Sequence, residues 1–487
     1  MDLTNTQLDR AEGVLLGTAA GDALGAPYEF QPARGPEKEV AMVGGGTFGW
    51  EPGEWTDDTS MAIAIAEVAA YTGDLLDEES QMAVLKRWHG WMKDAKDVGA
   101  QTGTVLRSAG WLGLGVLTAR NAARALHERT GLSAGNGSLM RTAPIALAYL
   151  DDEEGLVVAA RALSELTHFD PDAGDACVLW CCAIRHAVIT GDLNIRSGLR
   201  HLEDGRRQAW IDRIDAAETS RPSDFPNNGW VVSALQAAWS AISTTPIPAE
   251  DPSSGTFRAN HFRLALDAAV RAGNDTDTVA AIAGGLLGAS WGASAVPAEW
   301  RRVLHGWPGL TTRGLVKLAR IVLGDEDEGF DPDYPDHATD ALVRHPYDDG
   351  LWLGGVSALW DLPEGVDAVV SLCRVGDDDV PQGVPHVEIR LIDSVNRFDN
   401  PHLDYVLSDA ANVVAQLRQE GRTVLLHCVG AVSRTPTVAS LYGARLRGVS
   451  IDEAIADVLT ALPCGYPNPA FRAALKRLDN QQSPTGG

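Results

Sequence analysis

The sequence predicts a multidomain protein in which an all-α domain precedes a small α/β domain. Apolar residues recur at a spacing near 3.6 from residue 7 to about 323, whereas short β-branched runs alternate with helical stretches beyond residue 341. Residues 324–340, which lie between these parts, contain eight acidic residues and two prolines. We therefore predict an all-α domain at 1–323, a solvated acidic linker at 324–340, an α/β domain at 341–478 and a disordered tail at 479–487.

The helical half contains repeated amphipathic segments and no convincing alternating strand. Alanine and glycine on many faces predict closely packed helices. The segments with helical periodicity are LDRAEGVLLGTAAGDALG, SMAIAIAEVAAYTG, SQMAVLKRWHGWMKDA, EGLVVAARALSELTH, NNGWVVSALQAAWSAIS, HFRLALDAAVRAG and TVAAIAGGLLGASWG.

The second half has three short runs typical of buried strands: DAVVSLC, HVEIRLI and TVLLHC. Helical stretches such as LDYVLSDAANVVAQLRQEG and TPTVASLYGARLRG alternate with them. This alternation predicts a largely parallel sheet.

Composition restricts the function classes. A formal net charge of −26 over 487 residues argues against general binding to nucleic acid or to an anionic membrane. No apolar run near eighteen residues and no N-terminal leader is evident, so we predict a cytoplasmic protein. The six cysteines do not form a disulfide framework, and three of them, Cys177, Cys181 and Cys182, read as packing in a buried helix.

Two acidic clusters mark the starts of two predicted helices. The first is Trp55-Thr-Asp-Asp-Thr59, and the second is Asn274-Asp-Thr-Asp-Thr278. One Asp at a helix start can be a plain cap, because it accepts an unpaired N–H and complements the helix dipole. Four carboxylates exceed that need, and all-oxygen ligands suit Mg²⁺, Mn²⁺ or Ca²⁺. Capping and metal binding are both open at this point.

Further polar loops fit a site around the acidic pair, because glycine lets backbone N–H groups approach a ligand. Each also has a simpler explanation: a helix cap for Asp22, surface exposure for Glu29, and structural hydrogen bonding for His168. The loop residues are Asp22, Glu29, Asp97, Gly99, Asn136, Ser138 and His168.

Six motifs in order carry a resemblance to a known family: GDALGAPYEF, WTDDTSMA, DVGAQT, SAGNGSLMRTAPI, THFDP and GNDTDTVAAIAGGLLGA. Over about residues 7–323 the chain resembles the ADP-ribosylglycohydrolase family. The resemblance implies an orthogonal all-α fold, a binuclear Mg²⁺ or Mn²⁺ centre, and release of ADP-ribose from an ADP-ribosylated protein or small-molecule derivative. In such a centre, two cations hold the ribose hydroxyls and lower the pKa of a water, and a carboxylate accepts its proton.

The resemblance also implies residue roles. Glu29 and Asp97 match acidic positions implicated in catalysis in different members. One departure is Asn274, where the family usually has glycine. The implied metal ligands are Thr56, Asp57, Asp58, Asp275, Asp277 and Thr278. The implied substrate-binding residues are Gly99, Gly135, Asn136, Gly137, Ser138 and His168.

A second site is predicted in LLHCVGAVSRT, where Cys428 and Arg434 are spaced as C-x5-R between a strand and a helix. Such a loop points N–H groups at a phosphate, the guanidinium grips two oxygens, and the helix start favours the thiolate. Ser433 or Thr435 would steady the thiolate. The alternative is a buried cysteine at a strand end.

From about residue 345 to 475 the chain resembles the dual-specificity class of protein tyrosine phosphatases, with WLGGVSALWD and DAVVSLCRV as opening strands. The resemblance implies a phosphate ester substrate, with Cys428 as nucleophile and Asp393 as general acid. Ala431 departs from the family, which usually has glycine there. Two alternatives are a phosphate-recognition module without catalysis, and a primary phosphatase whose helical half senses ADP-ribose.

Overall fold

A computed structural model describes residues 2–325, 334, 339–376 and 378–479 of the chain. The first part is helical, as predicted. Its helices are α1 (Asn5–Gly25), α2 (Asp57–Thr72), α3 (Glu78–Trp91), α4 (Ala100–Trp111), α5 (Val116–Thr130), α6 (Ala143–Ala148), α7 (Glu153–Ser164), α8 (Pro171–Thr190), α9 (Asp204–Glu218), α10 (Val231–Thr244), α11 (Asn260–Val270), α12 (Thr276–Trp291), α13 (Ala298–Arg301) and α14 (Thr312–Val322). Two short antiparallel strands that were not predicted, β1 (His305–Gly306) and β2 (Leu310–Thr311), precede α14.

Helices α1 and α12 form the central pair of this domain, and glycine sets their distance. A Cβ on Gly17 would lie 2.2 Å from the carbonyl oxygen of Gly284, and one on Gly21 would lie 2.0 Å from that of Ala280. A Cβ on Gly25 would lie 2.5 Å from Cα of Asp277. The two backbones therefore touch along a face that only glycine permits, and this contact holds the end of α1 against the start of α12.

Helix α8 is a core helix. This helix is long and apolar enough to cross a membrane, although no such segment was predicted from the sequence. However, 78% of its most apolar 18-residue stretch is buried within the protein. Cys177, Cys181 and Cys182 are buried on it, as predicted.

The second part contains a five-stranded sheet with the order β3-β4-β7-β5-β6. Within the described residues of this sheet, only β3 and β4 pair antiparallel, so the prediction of a largely parallel sheet is confirmed. The strands are β3 (Leu342–His345), β4 (Asp348–Gly354), β5 (Ala368–Ser371), β6 (His386–Glu388) and β7 (Val424–His427). The helices are α15 (Leu403–Gln419), α16 (Arg434–Arg447), α17 (Ile451–Ala461) and α18 (Pro469–Arg477).

Several local predictions need correction. Strand β4 ends at Gly354 and residues Val356–Leu359 form a 3₁₀ turn, so WLGGVSALWD is a strand only at its start. Helix α3 ends at Trp91, before the predicted end. Asp22 lies inside α1, whose helix continues through Gly25, and not in a glycine turn. Most of the predicted linker and residues 480–487 of the predicted tail lie outside the described residues.

The two parts are in direct contact through α15. Asp409 accepts a hydrogen bond from the backbone N–H of Ala298 at 2.9 Å, and the Tyr405 hydroxyl donates to the Ala295 carbonyl at 3.2 Å. Tyr405 and Ala295 are buried. Helix α15 thus caps α13 and fixes the sheet beside the helical domain.

Candidate active sites

Carboxylates from three helices converge at the centre of the helical domain. The ligand atoms of Asp22, Asp58 and Asp277 lie within 4.8 Å of one another, and so do those of Glu29, Asp275 and Asp277. Asp277 belongs to both groups. The structure therefore brings the two predicted acidic helix starts together, although more than two hundred residues separate them in the chain.

The structure answers the capping question at α2. Asp22, on α1, accepts hydrogen bonds from the backbone N–H groups of Thr56 and Thr59, both at 2.9 Å, and from the Thr59 hydroxyl at 2.6 Å. Asp22 thus caps α2 from a neighbouring helix. Asp57 and Asp58 occupy the first turn of α2 without serving as its cap. Helix capping therefore does not account for these two buried carboxylates.

The start of α12 is built by a strained turn. Asn274 adopts the left-handed conformation with φ of 61°, which explains why this position accepts Asn or Gly. Its carbonyl oxygen accepts from the Phe30 N–H at 2.6 Å, and its own N–H donates to the Gln31 carbonyl at 2.7 Å. The turn therefore ties the segment that carries Glu29 to the start of α12.

The residues at this centre fit divalent cations. Asp58 Oδ1 and Glu29 Oε2 are buried without a hydrogen-bond partner among the described residues. An unpaired buried carboxylate oxygen is costly unless a cation or proton neutralises it. The remaining donors are carboxylates with the hydroxyls of Thr56 and Thr278 beside them, which is the oxygen set that Mg²⁺ and Mn²⁺ prefer.

Burial and mutual repulsion raise the pKa of these carboxyl groups. The pKa of Asp57 is raised to about 8, first by burial and then by Asp97. The pKa of Glu29 is raised to about 9, by burial and then by Asp275 and Asp97. For Asp58 and Asp277 burial raises the pKa well above its ordinary value. Without a cation the cluster therefore retains protons near neutral pH.

This electrostatic state predicts a pH dependence for the metal-free protein. The folded pKa values of Asp57 and Glu29 lie above their ordinary values of 3.8 and 4.5, so the folded state keeps protons that the unfolded chain has released. Their contribution to stability is present below pH 4 and is lost as pH rises through about 8 to 9. In EDTA we expect the melting temperature to fall between pH 5 and pH 9, and saturating Mn²⁺ to reduce this fall. If the melting temperature fell equally with pH in EDTA and in Mn²⁺, the assignment of this cluster as a cation site would be contradicted.

The predicted substrate-binding loops contact two carboxylates of the cluster. The Gly99 N–H donates to Asp57 Oδ2 at 3.3 Å, and the Asn136 amide donates to Asp275 Oδ2 at 2.7 Å. Both interactions hold a carboxylate in place. Gly135 and Gly137 are partly exposed beside them.

His168 lies against this loop, and Ser138 is part of it. His168 is 1% exposed, and a Cβ on Gly137 would lie 3.2 Å from its ring. Burial and Arg141 lower the pKa of His168 well below its ordinary value, so the ring is neutral. Ser138 is also buried. The burial of both side chains favours an indirect part in substrate binding.

Sequence reasoning missed Asn228 entirely. Its side-chain carbonyl accepts from the Asp275 N–H at 3.1 Å, its amide donates to the Gly273 carbonyl at 2.9 Å, and its backbone carbonyl accepts from Asn136 at 2.9 Å. It joins the glycine loop to α12. NNGW gives no local signal for this role, because its partners are distant in the chain.

The second site lies where β7 ends and α16 begins, as predicted. Cys428 is 2% exposed at the end of β7, and Arg434 is the first residue of α16. Arg434 Nη1 donates to the carbonyl oxygens of Leu372 and Leu391 at 3.0 and 3.1 Å. These contacts fix the guanidinium at the carboxyl end of the parallel strands.

Asp393 is held beside this loop. It accepts hydrogen bonds from the Ser433 hydroxyl and the Asn468 amide, both at 2.8 Å. The Thr435 hydroxyl donates to the Gly354 carbonyl at 3.3 Å. Ser433 and Thr435 therefore direct their protons away from the thiol in this structure. Asn468, which orients Asp393, was not singled out from the sequence.

Ala431 occupies the loop position where the family usually has glycine, and its φ is 55°. It is fully buried. A non-glycine residue in this conformation costs about 1 to 2 kcal/mol. Alanine in place of glycine at this position therefore strains the backbone of the loop.

Replacing Ala431 with Gly is expected to raise the free energy of unfolding of this domain by about 1 kcal/mol, because glycine adopts positive φ without a steric penalty. Ala456→Gly, at an exposed position in α17, is the matched control and should lower stability by about 1 kcal/mol. Thermal unfolding of both variants measures the difference. A lower free energy of unfolding in Ala431→Gly would show that the backbone at Ala431 is not strained.

The chain belongs to the ADP-ribosylglycohydrolase family, whose model matches residues 3–329. The ADP-ribosylarginine hydrolase Tri1 of Pseudomonas putida is 33% identical over 300 residues, which cover 60% of this chain and 73% of that protein. A solved structure described as an ADP-ribosylglycohydrolase-related protein complex is 28% identical, with a TM-score of 0.52, and covers 66% of this chain and 99% of its own. A structure of human DUSP28 is 25% identical, with a TM-score of 0.25, and covers 28% of this chain and 92% of its own. The chain is thus an ADP-ribosylglycohydrolase family hydrolase, and its family is metal-dependent.

Proposed function

We propose that the helical domain hydrolyses the bond between ribose C1″ and an acceptor and releases ADP-ribose, with two Mg²⁺ or Mn²⁺ ions held by the carboxylate cluster. The observation that carries this proposal is Asp277, which belongs to both carboxylate groups. Bound there, the two ions would supply a water of lowered pKa and a grip on the ribose hydroxyls.

We assign the other steps to individual residues of the chain. The ions would be held by Thr56, Asp57, Asp58, Asp275, Asp277 and Thr278. Asp22 keeps α2 in position through its three hydrogen bonds. Glu29, with one buried oxygen free of hydrogen bonds among the described residues, is placed to accept a proton at that oxygen. The N–H groups of the glycine loops would bind the diphosphate, which the acidic chain otherwise repels.

We propose ADP-ribosylated arginine as the first acceptor to test, because the relative from Pseudomonas putida is described as an ADP-ribosylarginine hydrolase. The test is a screen of defined arginine, serine, nucleic-acid and small-molecule ADP-ribosyl linkages with Mg²⁺, with Mn²⁺ and in EDTA. Release of ADP-ribose that requires a divalent ion supports the proposal. Turnover that persists unchanged in EDTA would overturn it.

We further propose that the α/β domain cleaves a phosphate ester. The Cys428 thiolate would attack phosphorus while Asp393 protonates the leaving oxygen, and Asp393 would then deprotonate the water that releases inorganic phosphate and restores the thiolate. The hydrogen bonds of Asp393 to Ser433 and Asn468 favour this role by placing the carboxyl beside the loop. The competing proposals are a non-catalytic phosphate-recognition module, and a phosphatase regulated by a helical domain that senses ADP-ribose.

Cys428→Ser is expected to abolish phosphatase turnover on a phosphate ester, because serine is a far weaker nucleophile, and to leave ADP-ribosyl hydrolysis unchanged. Cys464→Ser, at an exposed cysteine, is the matched control and should retain both activities. Assays of both reactions on the full chain separate the proposals. If phosphatase turnover persisted in Cys428→Ser, Cys428 would not be the nucleophile. If the parent chain had no phosphatase turnover, the non-catalytic phosphate-recognition module would be favoured.

A further inference from the structure

The segment that carries Asp393 forms a closed loop after the last strand of the sheet. Strand β6 ends at Glu388, and the loop closes at Asn400. The Asn400 amide donates to the Ile392 carbonyl at 2.8 Å, and its side-chain carbonyl accepts from the Ile392 N–H at 2.9 Å. Residues 392–400 are therefore one unit, the acid loop, which carries the proposed general acid near its start.

Two side chains at the start of α1 contact the far end of the acid loop. The Asn5 amide donates to Asp399 Oδ1 at 3.0 Å, and the Thr6 hydroxyl donates to the Phe398 carbonyl. Asn5 and Thr6 lie in the first turn of α1, whose last turn carries Asp22. The helical domain therefore holds the end of the acid loop that is distant from Asp393 in sequence.

Arg390 joins the acid loop to α1 a second time. Its Nη1 donates to the Asp399 carbonyl at 3.1 Å, and its Nη2 donates to the Asn5 carbonyl at 2.7 Å. Its Nε lies 3.6 Å from Oδ1 of Asp9, which is buried on α1. The planar guanidinium thus meets three acceptors and is fixed in one orientation. One side chain connects the chain before the loop, the end of the loop and the helix.

The chain that follows the acid loop also lies on the helical domain. His402 Nε2 donates to the Trp291 carbonyl at 2.8 Å, since a carbonyl oxygen can only accept. The centroids of the two rings are 5.7 Å apart. Three residues later, the Tyr405 hydroxyl donates to the Ala295 carbonyl. Contacts with the helical domain therefore continue from the acid loop to the start of α15.

The acid loop buries little apolar surface of its own. Its apolar side chains between Asp393 and Asn400 are Val395 and Phe398, which are 67% and 63% exposed. Hydrogen bonds such as the one from the Phe398 N–H to Asn396 Oδ1 at 3.2 Å shape the loop from within but do not attach it. A loop with so few buried contacts opens readily unless polar contacts hold it. The contacts with α1 supply that attachment.

We propose that Asn5, Thr6 and Arg390 are positioning residues for the general acid, so that the helical domain completes the phosphatase site. A general acid must lie within hydrogen-bond reach of the leaving oxygen. A misplacement of about 1 Å can cost about 10²-fold in rate. The inference rests on the proposed phosphatase activity and adds that this activity depends on contacts made by the helical domain.

The test compares two phosphate esters on the full chain. Phenyl phosphate has a basic leaving oxygen that needs a proton, whereas dinitrophenyl phosphate releases a stable anion that needs little help. Asp393→Asn is the reference variant and should slow the phenyl ester far more than the dinitrophenyl ester. Asn5→Ala combined with Thr6→Val should show the same selectivity, with kcat/KM reduced about tenfold on the phenyl ester and less than about twofold on the other.

Amide hydrogen exchange measures the acid loop without substrate. Exchange in residues 393–400 should rise in the double variant, because the attachment to α1 is lost. Thr118→Val is the matched control, since Thr118 also lies in the first turn of a helix and its hydroxyl donates to the Gly115 carbonyl at 2.9 Å. This control should equal the parent in kinetics and in exchange. If melting temperatures show that the double variant does not fold, Thr6→Val decides, and Thr6→Ser should keep the parent's selectivity.

The outcomes separate this inference from the function on which it rests. If the double variant lost equal activity on both esters, or kept the kinetics of the parent, the positioning role would be overturned and the phosphatase proposal would stand. If the parent hydrolysed neither ester, or if Asp393→Asn showed no selectivity between them, the proposed phosphatase mechanism would be overturned and the positioning role with it.

Discussion

Replacing Asp277 with Asn is expected to lower kcat/KM for ADP-ribosyl hydrolysis by about 10³-fold or more, because this carboxylate belongs to both candidate cation groups. The amide keeps the shape of the side chain but removes the charge that would neutralise bound cations. Asp277 is 2% exposed, so water cannot replace it readily. Steady-state kinetics at saturating Mn²⁺, with metal content measured on the same sample, determine the effect.

Asp212→Asn is the matched control, because this Asp is exposed on α9 and accepts only a hydrogen bond from Gln208 in the described contacts. Its kinetics should equal those of the parent. The account would be refuted if Asp277→Asn retained both its metal content and its turnover.

Replacing Gly284 with Ala is expected to destabilise the helical domain by about 3 kcal/mol or more. Its Cβ would lie 2.0 Å from the carbonyl oxygen of Gly17, so α1 and α12 must separate. Because Asp22 lies on α1 and Asp277 on α12, the same separation should weaken Mn²⁺ binding. Thermal unfolding and Mn²⁺ titration measure the two effects.

Gly90→Ala serves as the control for the chemical change itself. Gly90 is within α3, and an added Cβ meets nothing within 4 Å. Alanine there should leave stability unchanged or raise it by about 0.5 to 1 kcal/mol. Equal melting temperatures in the two variants would show that the close approach of α1 and α12 does not limit stability.

The sequence predicted the helical domain and the carboxylates of its centre because both signals are local. A helix start with Asp57 and Asp58 is visible within five residues, and the period of apolar residues identifies α2 and α12 directly. The order of the glycine loops among these motifs then indicated the family.

Contacts between segments that are far apart in the chain could not be predicted from local sequence patterns. Asp22 reads as a residue beside a turn, yet it caps α2 across 34 residues of chain. Asn228 joins loops that are 47 and 92 residues away. Neither role leaves a pattern in its own neighbourhood.

Backbone strain was partly predictable. The departure at Ala431, where the family usually has glycine, is visible in the sequence, and the structure shows positive φ at this residue. The hairpin of β3 and β4 was missed because β3 has only four residues and an irregular register next to His345.

Counting bound Mn²⁺ ions is the most direct test of the central claim that Asp277 is shared by two cations. Equilibrium dialysis of the full chain with Mn²⁺, followed by metal analysis, should give two ions per chain for the parent and a marked loss for Asp277→Asn. A parent chain that binds no Mn²⁺, or an Asp277→Asn variant that binds two ions with unchanged affinity, would contradict it.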